Sequence, residues 1–420
     1  MRATKNSGFE WIGEIPTSWK LYKGKYMFTQ RNLRGNTIEL QLLSPTQKYG
    51  VVPQSVYEDR SGMNAVKLNE NANLSALKTI HKGDFCISLR SFQGGFEYSE
   101  YEGVVSPAYQ VFYPVVKVAR GYYKYLFKDS GFIEKMNSYT MTLRDGKNIA
   151  FADFGNTYIP CPSVDEQQRI ADFLDAKCVE IDALTADIQA QIDTLEQYKR
   201  SVITETVTKG LNPNAEMKDS GIQWVGQMPL AWEAVPNKYL MYKVKNICPV
   251  YNGEDILSLT TNGVIIRDLN GGGKMPTSFD GYQKVTPGNL LMCLFDIDVT
   301  PRCIGLVKNF GLTSPAYSQF VMRTGAYAPY YYYYYLMVDY TKELLHMAKN
   351  LRHSLTEDQL GAIKAPNPPY EEQVQIAEFL DKKCVEISRV IEDKNKQLAT
   401  LDEYKKSLIF EYVTGKKEVV

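Results

Sequence analysis

The chain has three histidines among its 420 residues, and its seven cysteines contain no C-x-x-C pair. That scarcity excludes a zinc ribbon, and the odd cysteine count argues against a disulfide framework. His81, His346 and His353 are too scattered to form a metal site, so no metal is expected. No apolar run reaches the roughly eighteen residues a membrane span needs, and no basic segment leads into a short apolar stretch at the N-terminus. A cytoplasmic chain without a membrane partner is therefore expected. Net charge is missing as well, since 48 basic side chains balance 48 acidic ones. Indiscriminate adhesion to a polyanion is not expected, whereas local basic patches remain compatible with this balance.

Signatures of catalysis are equally sparse. No Walker-type loop occurs: Asn270-Gly-Gly-Gly-Lys274 lacks the following Ser or Thr. No H-E-x-x-H, nucleophile elbow or nuclease-like acidic pair stands out. Asn367-Pro-Pro-Tyr370 has the form of the loop with which amino-methyltransferases hold a base amino group. The corresponding segment of the other half, Cys161-Pro-Ser-Val164, could not do that chemistry, and the residues after Tyr370 run directly into a helical pattern. Proline before a first helical turn is the plainer reading. A chain of this size without chemistry points to recognition.

What the sequence does contain is a second copy of itself. Asp165 to Leu211 returns from Glu371 onward, with Cys178 matched by Cys384 at a spacing of 206 residues. Trp11-x-Gly13-x-x-Pro16-x-x-Trp19 returns as Trp224-x-Gly226-x-x-Pro229-x-x-Trp232, at a spacing of 213. These Trp, Gly and Pro residues read as a structural clasp rather than as base-stacking platforms. Between the anchors the halves share an order of short strands: Ser106-Pro-Ala-Tyr109 is matched by Ser314-Pro-Ala-Tyr317, and Leu143-Arg144 by Leu351-Arg352. Tyr109 to Val118 and Asp84 to Leu89 read as strands, and Gly121 to Lys135 as a helix. The six tyrosines from Tyr330 to Tyr335 fall where that helix recurs and are assigned to helix packing.

Both copies end in a narrow apolar stripe. In the first, Leu174, Cys178, Ile181, Thr185, Ile188, Ile192, Leu195 and Val202 alternate by four and three, broken at Lys199. In the second, Leu380, Cys384, Ile387, Ile391, Leu398, Leu401 and Leu408 do the same, broken at Lys394 and Lys405. A heptad seam of that length predicts a coiled coil. At about 1.5 Å per residue each helix is roughly 65 Å long. The expected fold is α+β: two similar mixed globular domains separated by two long helices that form an antiparallel coiled coil, an internal pseudo-twofold repeat. The boundaries read from the repeat are 1–160, 161–212, 213–366 and 367–420.

If the modules read nucleic acid, polar and basic residues in the variable loops are the candidates. These are Arg31, Arg34, Arg90, Gln93, Arg144, Lys147 and Asn148 in the first module. In the second they are Arg267, Lys274, Arg302, Lys349, Asn350, Arg352 and His353.

Taken together, the duplicated W-x-G-x-x-P-x-x-W opening and the duplicated P-x-x-x-E-Q-x-x-I-A-x-F-L-D closing make the sequence resemble the DNA-specificity subunits of type I restriction-modification systems. The closing motif comprises Glu166, Gln167, Ile170, Ala171, Phe173, Leu174 and Asp175, then Glu372, Gln373, Ile376, Ala377, Phe379, Leu380 and Asp381. The resemblance spans nearly the whole chain. It implies two target recognition domains, each reading half of a split site in double-stranded DNA. The helices, through Phe173, Leu174, Cys178, Ile181, Ile188, Leu195, Phe379, Leu380, Cys384, Ile387, Leu398 and Leu401, would form the spacer and dock two modification subunits. It further implies no catalysis and no cofactor in this chain. S-adenosylmethionine, ATP and magnesium would sit on the modification and restriction/translocase partners. The alternatives are a coiled-coil scaffold that does not touch DNA and a lone adenine methyltransferase.

Overall fold

The computed structural model describes residues 2–35, 40–64, 74–87, 95–139, 149–270, 276–348 and 353–419. The chain divides into two compact units, Met1–Ile188 with Lys396–Val420, and Gln189–Asn395. Each unit therefore takes one globular part and a segment of both long helices.

In the first unit, strand β1 (Lys20–Lys23) leads through a single turn, α1 (Gly24–Met27), into β2 (Phe28–Gln30). Strands β3 (Phe85–Ile87), β4 (Phe96–Tyr98) and β5 (Gln110–Pro114) complete an antiparallel sheet of order β2-β5-β3-β4. Helices α2 (Arg120–Leu126), α3 (Ser130–Ser138) and α4 (Phe151–Asn156) follow, then β6 (Tyr158–Cys161), which pairs back onto β1. β6 delivers the chain into the long helix α5 (Val164–Lys209). The helix expected over Gly121 to Lys135 is thus two helices. Asp129 breaks it because its carboxylate accepts the Phe132 amide and caps α3, the local role in which Asp excels. The expected strand Tyr109 to Val118 is shorter, since the sheet pairing ends at Pro114.

The second unit repeats the plan: β7 (Glu233–Pro236), α6 (Asn237–Leu240), β8 (Met241–Val244), β9 (Leu290–Met292), β10 (Ile304–Leu306) and β11 (Ser318–Met322). Its sheet order, β8-β11-β9-β10, matches that of the first. Helices α7 (Ala328–Tyr340) and α8 (Glu357–Ala362), strand β12 (Lys364–Asn367) on β7, and the long helix α9 (Tyr370–Val413) complete it.

The frame is conserved between the units while the core is not. Register makes Phe28, Phe85, Phe96 and Phe112 of the first sheet the counterparts of Met241, Leu290, Ile304 and Phe320 of the second. The first core is a phenylalanine cluster, with Phe85 stacked on Phe112 at 5.4 Å. The second relies on aliphatic side chains and the tyrosines of α7. All but one of the residues Tyr330–Tyr335 are buried, and Tyr332 packs against the core from its edge. A sheet tolerates such exchange because strand pairing is made by the backbone, while volume and pattern govern the packing.

Candidate nucleic-acid interface

Any reading surface of this chain is held in place by one clamp, built twice. In the first unit the Trp19 indole donates to Glu166 at 3.0 Å, and Trp19 is 1 % exposed. In the second, the Trp232 indole donates to Glu372 at 2.9 Å. The next residue of the motif closes the loop before each long helix. Gln167 accepts the Ala119 amide at 2.9 Å and donates to the Pro162 carbonyl at 2.9 Å. Gln373 accepts the Tyr327 amide at 2.7 Å and donates to the Pro368 carbonyl at 2.8 Å. The motif aspartates receive tyrosine hydroxyls, Tyr125 on Asp175 and Tyr333 on Asp381, both at 2.6 Å. Tyr122 donates to the Val413 carbonyl at 2.6 Å and Tyr330 to the Val207 carbonyl at 3.0 Å, each tying a globular helix to the far end of the other long helix. Burial pushes the Tyr122 and Tyr330 hydroxyls well above their ordinary pKa, so both stay neutral donors. Gly415 and Gly210 end the two long helices in the left-handed conformation; a Cβ on Gly415 would lie 2.5 Å from Pro16. The anchors noted in the sequence thus form a clasp, and the E-Q-x-x-I-A-x-F-L-D residues are its other jaw. Sequence reading found the motif but not these roles, although the matched recurrence of Trp with Glu was a usable signal.

Asn367 is absorbed by the same construction. Its side-chain oxygen accepts from Tyr331 at 2.8 Å and from Gln373 at 3.2 Å. A base amino group would have to displace both.

The helical seam is equally explicit. Leu174, Cys178 and Ile181 are buried with Leu408, Ile409 and Val413 in the first unit, with Phe173, 4.4 Å from the Tyr412 ring, and Leu401 at the edge. In the second, Leu380 is buried with Ile203 and Val207, with Phe379 and Cys384 packed against them. Ile387 is buried, and Ile188, Leu195 and Leu398 are half-buried. In both units a rising number on one helix meets a falling number on the other, so the helices run antiparallel. The seam lysines are not idle. Lys405 reaches Asp182 at 2.6 Å, Lys199 donates to Ser388 at 2.9 Å, and Lys394 to Gln191. Polar contacts at seam positions fix register.

Of the loop candidates, Arg90, Gln93, Arg144, Lys147, Asn148, Lys274, Lys349, Asn350 and Arg352 lie outside the described residues. Arg31 is held by Asp84, Nε to Oδ2 at 2.6 Å and Nη2 to Oδ1 at 3.2 Å, with its guanidinium over Tyr113. Arg34 is exposed beside β-bridge partner Lys78. Arg267 is half-buried and engaged. Arg302 lies 3.7 Å from the buried Asp339 and over the Tyr340 ring. His353 meets Asp298 at 2.9 Å and lowers the pKa of that carboxyl by hydrogen bonding to it. Both His353 and Asp296 adopt left-handed backbone, and the segments meet where Ile297 donates to the His353 carbonyl. Such non-glycine conformations persist only where the surroundings enforce them, and they gather at functional loops. Within the second unit the structure therefore groups Arg302 and His353 around one loop, 294–302, and within the first Arg31 is a sheet-edge brace.

Among the described residues no cluster of three His, Cys, Asp or Glu side chains could hold a metal, and no helix is long and apolar enough to cross a membrane.

Residues 18–194 match the family described as the type I restriction modification DNA specificity domain. The chain is 26% identical over 306 residues to the type I restriction enzyme MjaVIII specificity subunit of Methanocaldococcus jannaschii, covering 67% of this chain and 68% of that one. It is 26% identical over 282 residues to the putative MjaX specificity subunit of the same organism, covering 62% and 59%. Among solved structures, a chain described in work on complex assembly and conformational transition of the type I R-M system superposes with a TM-score of 0.71 at 14% identity, over 96% of this chain and 99% of that one. The HsdS subunit of Thermoanaerobacter tengcongensis gives 0.50 at 15% identity, over 96% and 98%.

Proposed function

We infer that the chain belongs to the DNA-specificity subunits of type I restriction-modification systems and serves as their non-catalytic DNA-recognition component. The observation that carries this is the duplicated clamp: one hydrogen-bonding frame, built from the same motif residues, holds two globular units whose loops and cores differ. A frame made twice with different loops suits a protein that performs one operation on two targets. In this reading each unit, within the boundaries 1–160 and 213–366, reads one half of a bipartite site. The helical segments 161–212 and 367–420 set the unread spacer and dock two modification subunits, and a restriction/translocase subunit joins the assembly. S-adenosylmethionine, ATP and magnesium are carried by those partners. Affinity for DNA depends steeply on salt, because phosphate contacts release counterions. A scaffold that never touches DNA would have no use for two different loop sets on one frame.

The test is an exchange of residues 20–155 for those of a relative with a different site, followed by methylation mapping in a host that carries the modification subunits. One half of the methylated sequence is expected to change while the other stays. A change in both halves, or in neither, would overturn the division of labour.

A further inference from the structure

Exposed tyrosines are unevenly placed on this chain. Among the described residues the two most exposed are Tyr26 and Tyr239, each 63 % exposed. They occupy the same place in their units, the single-turn helices α1 and α6, at the 213-residue spacing of the Trp anchors. Each follows an exposed lysine, with the ammonium of Lys25 5.6 Å from the Tyr26 ring and that of Lys238 5.1 Å from the Tyr239 ring. Each lysine stem rests on a glycine: a Cβ on Gly155 would lie 3.3 Å from the Lys25 Cβ, and one on Gly361 3.5 Å from that of Lys238. The flanking sequence is rich in basic side chains, two of which are already paired, Arg31 with Asp84 and Lys243 with Glu357. Residues 20–34 contain five basic and no acidic side chains, and residues 237–246 three basic and no acidic. In the second unit Arg323 adds a guanidinium 5.1 Å from the Tyr242 ring and donates to the Lys238 carbonyl.

We propose that the Lys25-Tyr26 and Lys238-Tyr239 pairs are matched contacts to the phosphate backbone of the bound duplex, one in each unit. This rests on the reading of the chain as a DNA-recognition subunit. Phosphodiesters repeat along the duplex and carry no sequence information, so a residue that grips them has no reason to differ between units that read different bases. Contacts to bases must differ, as the loops do. Lysine supplies the charge, and a tyrosine hydroxyl beside it donates to phosphate oxygen without altering specificity. Local positive charge in a chain of zero net charge fits a polyanion better than a protein partner of ordinary composition.

The experiment uses the full chain assembled with its modification subunits. Lys25→Ala/Tyr26→Ala and Lys238→Ala/Tyr239→Ala are compared with the unsubstituted complex, and Lys25→Arg serves as the conservative control. Equilibrium binding is measured over a range of salt on a duplex carrying the methylated site and on a scrambled duplex. Each paired substitution is expected to weaken binding to both duplexes by the same factor. It should also reduce the slope of log K against log salt by about 1, with the methylated sequence unchanged and Lys25→Arg retaining the slope. An unchanged slope on the scrambled duplex overturns the proposal, as does loss of the modification subunits from the complex with the slope intact. If the unsubstituted complex prefers no sequence, the recognition reading fails instead, and the scrambled duplex still reports on the patch.

Discussion

Glu97 shows how a single side chain couples the first unit to pH. It is buried, and Lys128 Nζ lies 2.6 Å from both of its carboxylate oxygens. Burial outweighs that pairing and raises its pKa to about 7. Asp129, buried at the start of α3, is raised to about 6 for the same reason. A carboxyl with a raised folded-state pKa binds more protons folded than unfolded, so its contribution to stability is full below the unfolded value and is lost as pH rises through the folded one. The melting temperature of the first unit is expected to fall between about pH 5 and pH 8 in a thermal scan. Glu97→Gln should flatten much of that fall, and an unaltered profile would remove Glu97 as the cause. The clamp residues belong to the same scale. Replacing a fully buried Trp such as Trp19 by Ala typically costs about 3–5 kcal/mol, and here it also removes the indole donor to Glu166, leaving Arg2 to hold that carboxylate.

At the scale of elements, the long helices trade stability for register. Lys405 sits at a seam position that an apolar residue would fill, and its ammonium leaves the seam to meet the exposed Asp182. Exposed pairs of this kind contribute little, whereas an apolar side chain buried at a seam contributes more. Lys405→Leu is therefore expected to stabilise the chain by about 1 kcal/mol in denaturant unfolding. The gain comes with weaker discrimination against shifted pairing, because a polar seam residue penalises the wrong register. A loss of stability would show that the Asp182 contact outweighs the seam. Strands obey a different logic. The two four-stranded sheets share order and register although Phe28, Phe85 and Phe96 of one occupy the positions of Met241, Leu290 and Ile304 in the other, because the ladders bind backbone to backbone.

For the whole molecule, the proposed spacer role makes length the variable that matters. Seven residues inserted into the seam of both α5 and α9, preserving the heptad phase, are expected to lengthen the unread spacer of the methylated site and leave both half-sites intact. Methylation mapping decides this, and altered half-sites with an unaltered spacer would refute the role. The duplication, the heptad seams and the clasp-like tryptophans were all legible in the sequence, because periodicity and repetition are properties of residue order. So was the absence of catalytic signatures. The pairing of Trp19 with Glu166, of Tyr122 with Val413 and of Gln167 with Ala119 was not, since these partners lie between 48 and 291 residues apart and only the closed chain brings them together. The split of Gly121 to Lys135 into α2 and α3 hung on one capping carboxylate, a local contest between near-equal energies that pattern alone does not resolve. The sequence by itself determined that there are two like bodies and two long seams. Tertiary structure alone decided that Arg31 and Arg302 lie against buried carboxylates while Tyr26 and Tyr239 stand in solvent, because exposure is a property of packing and not of residue type.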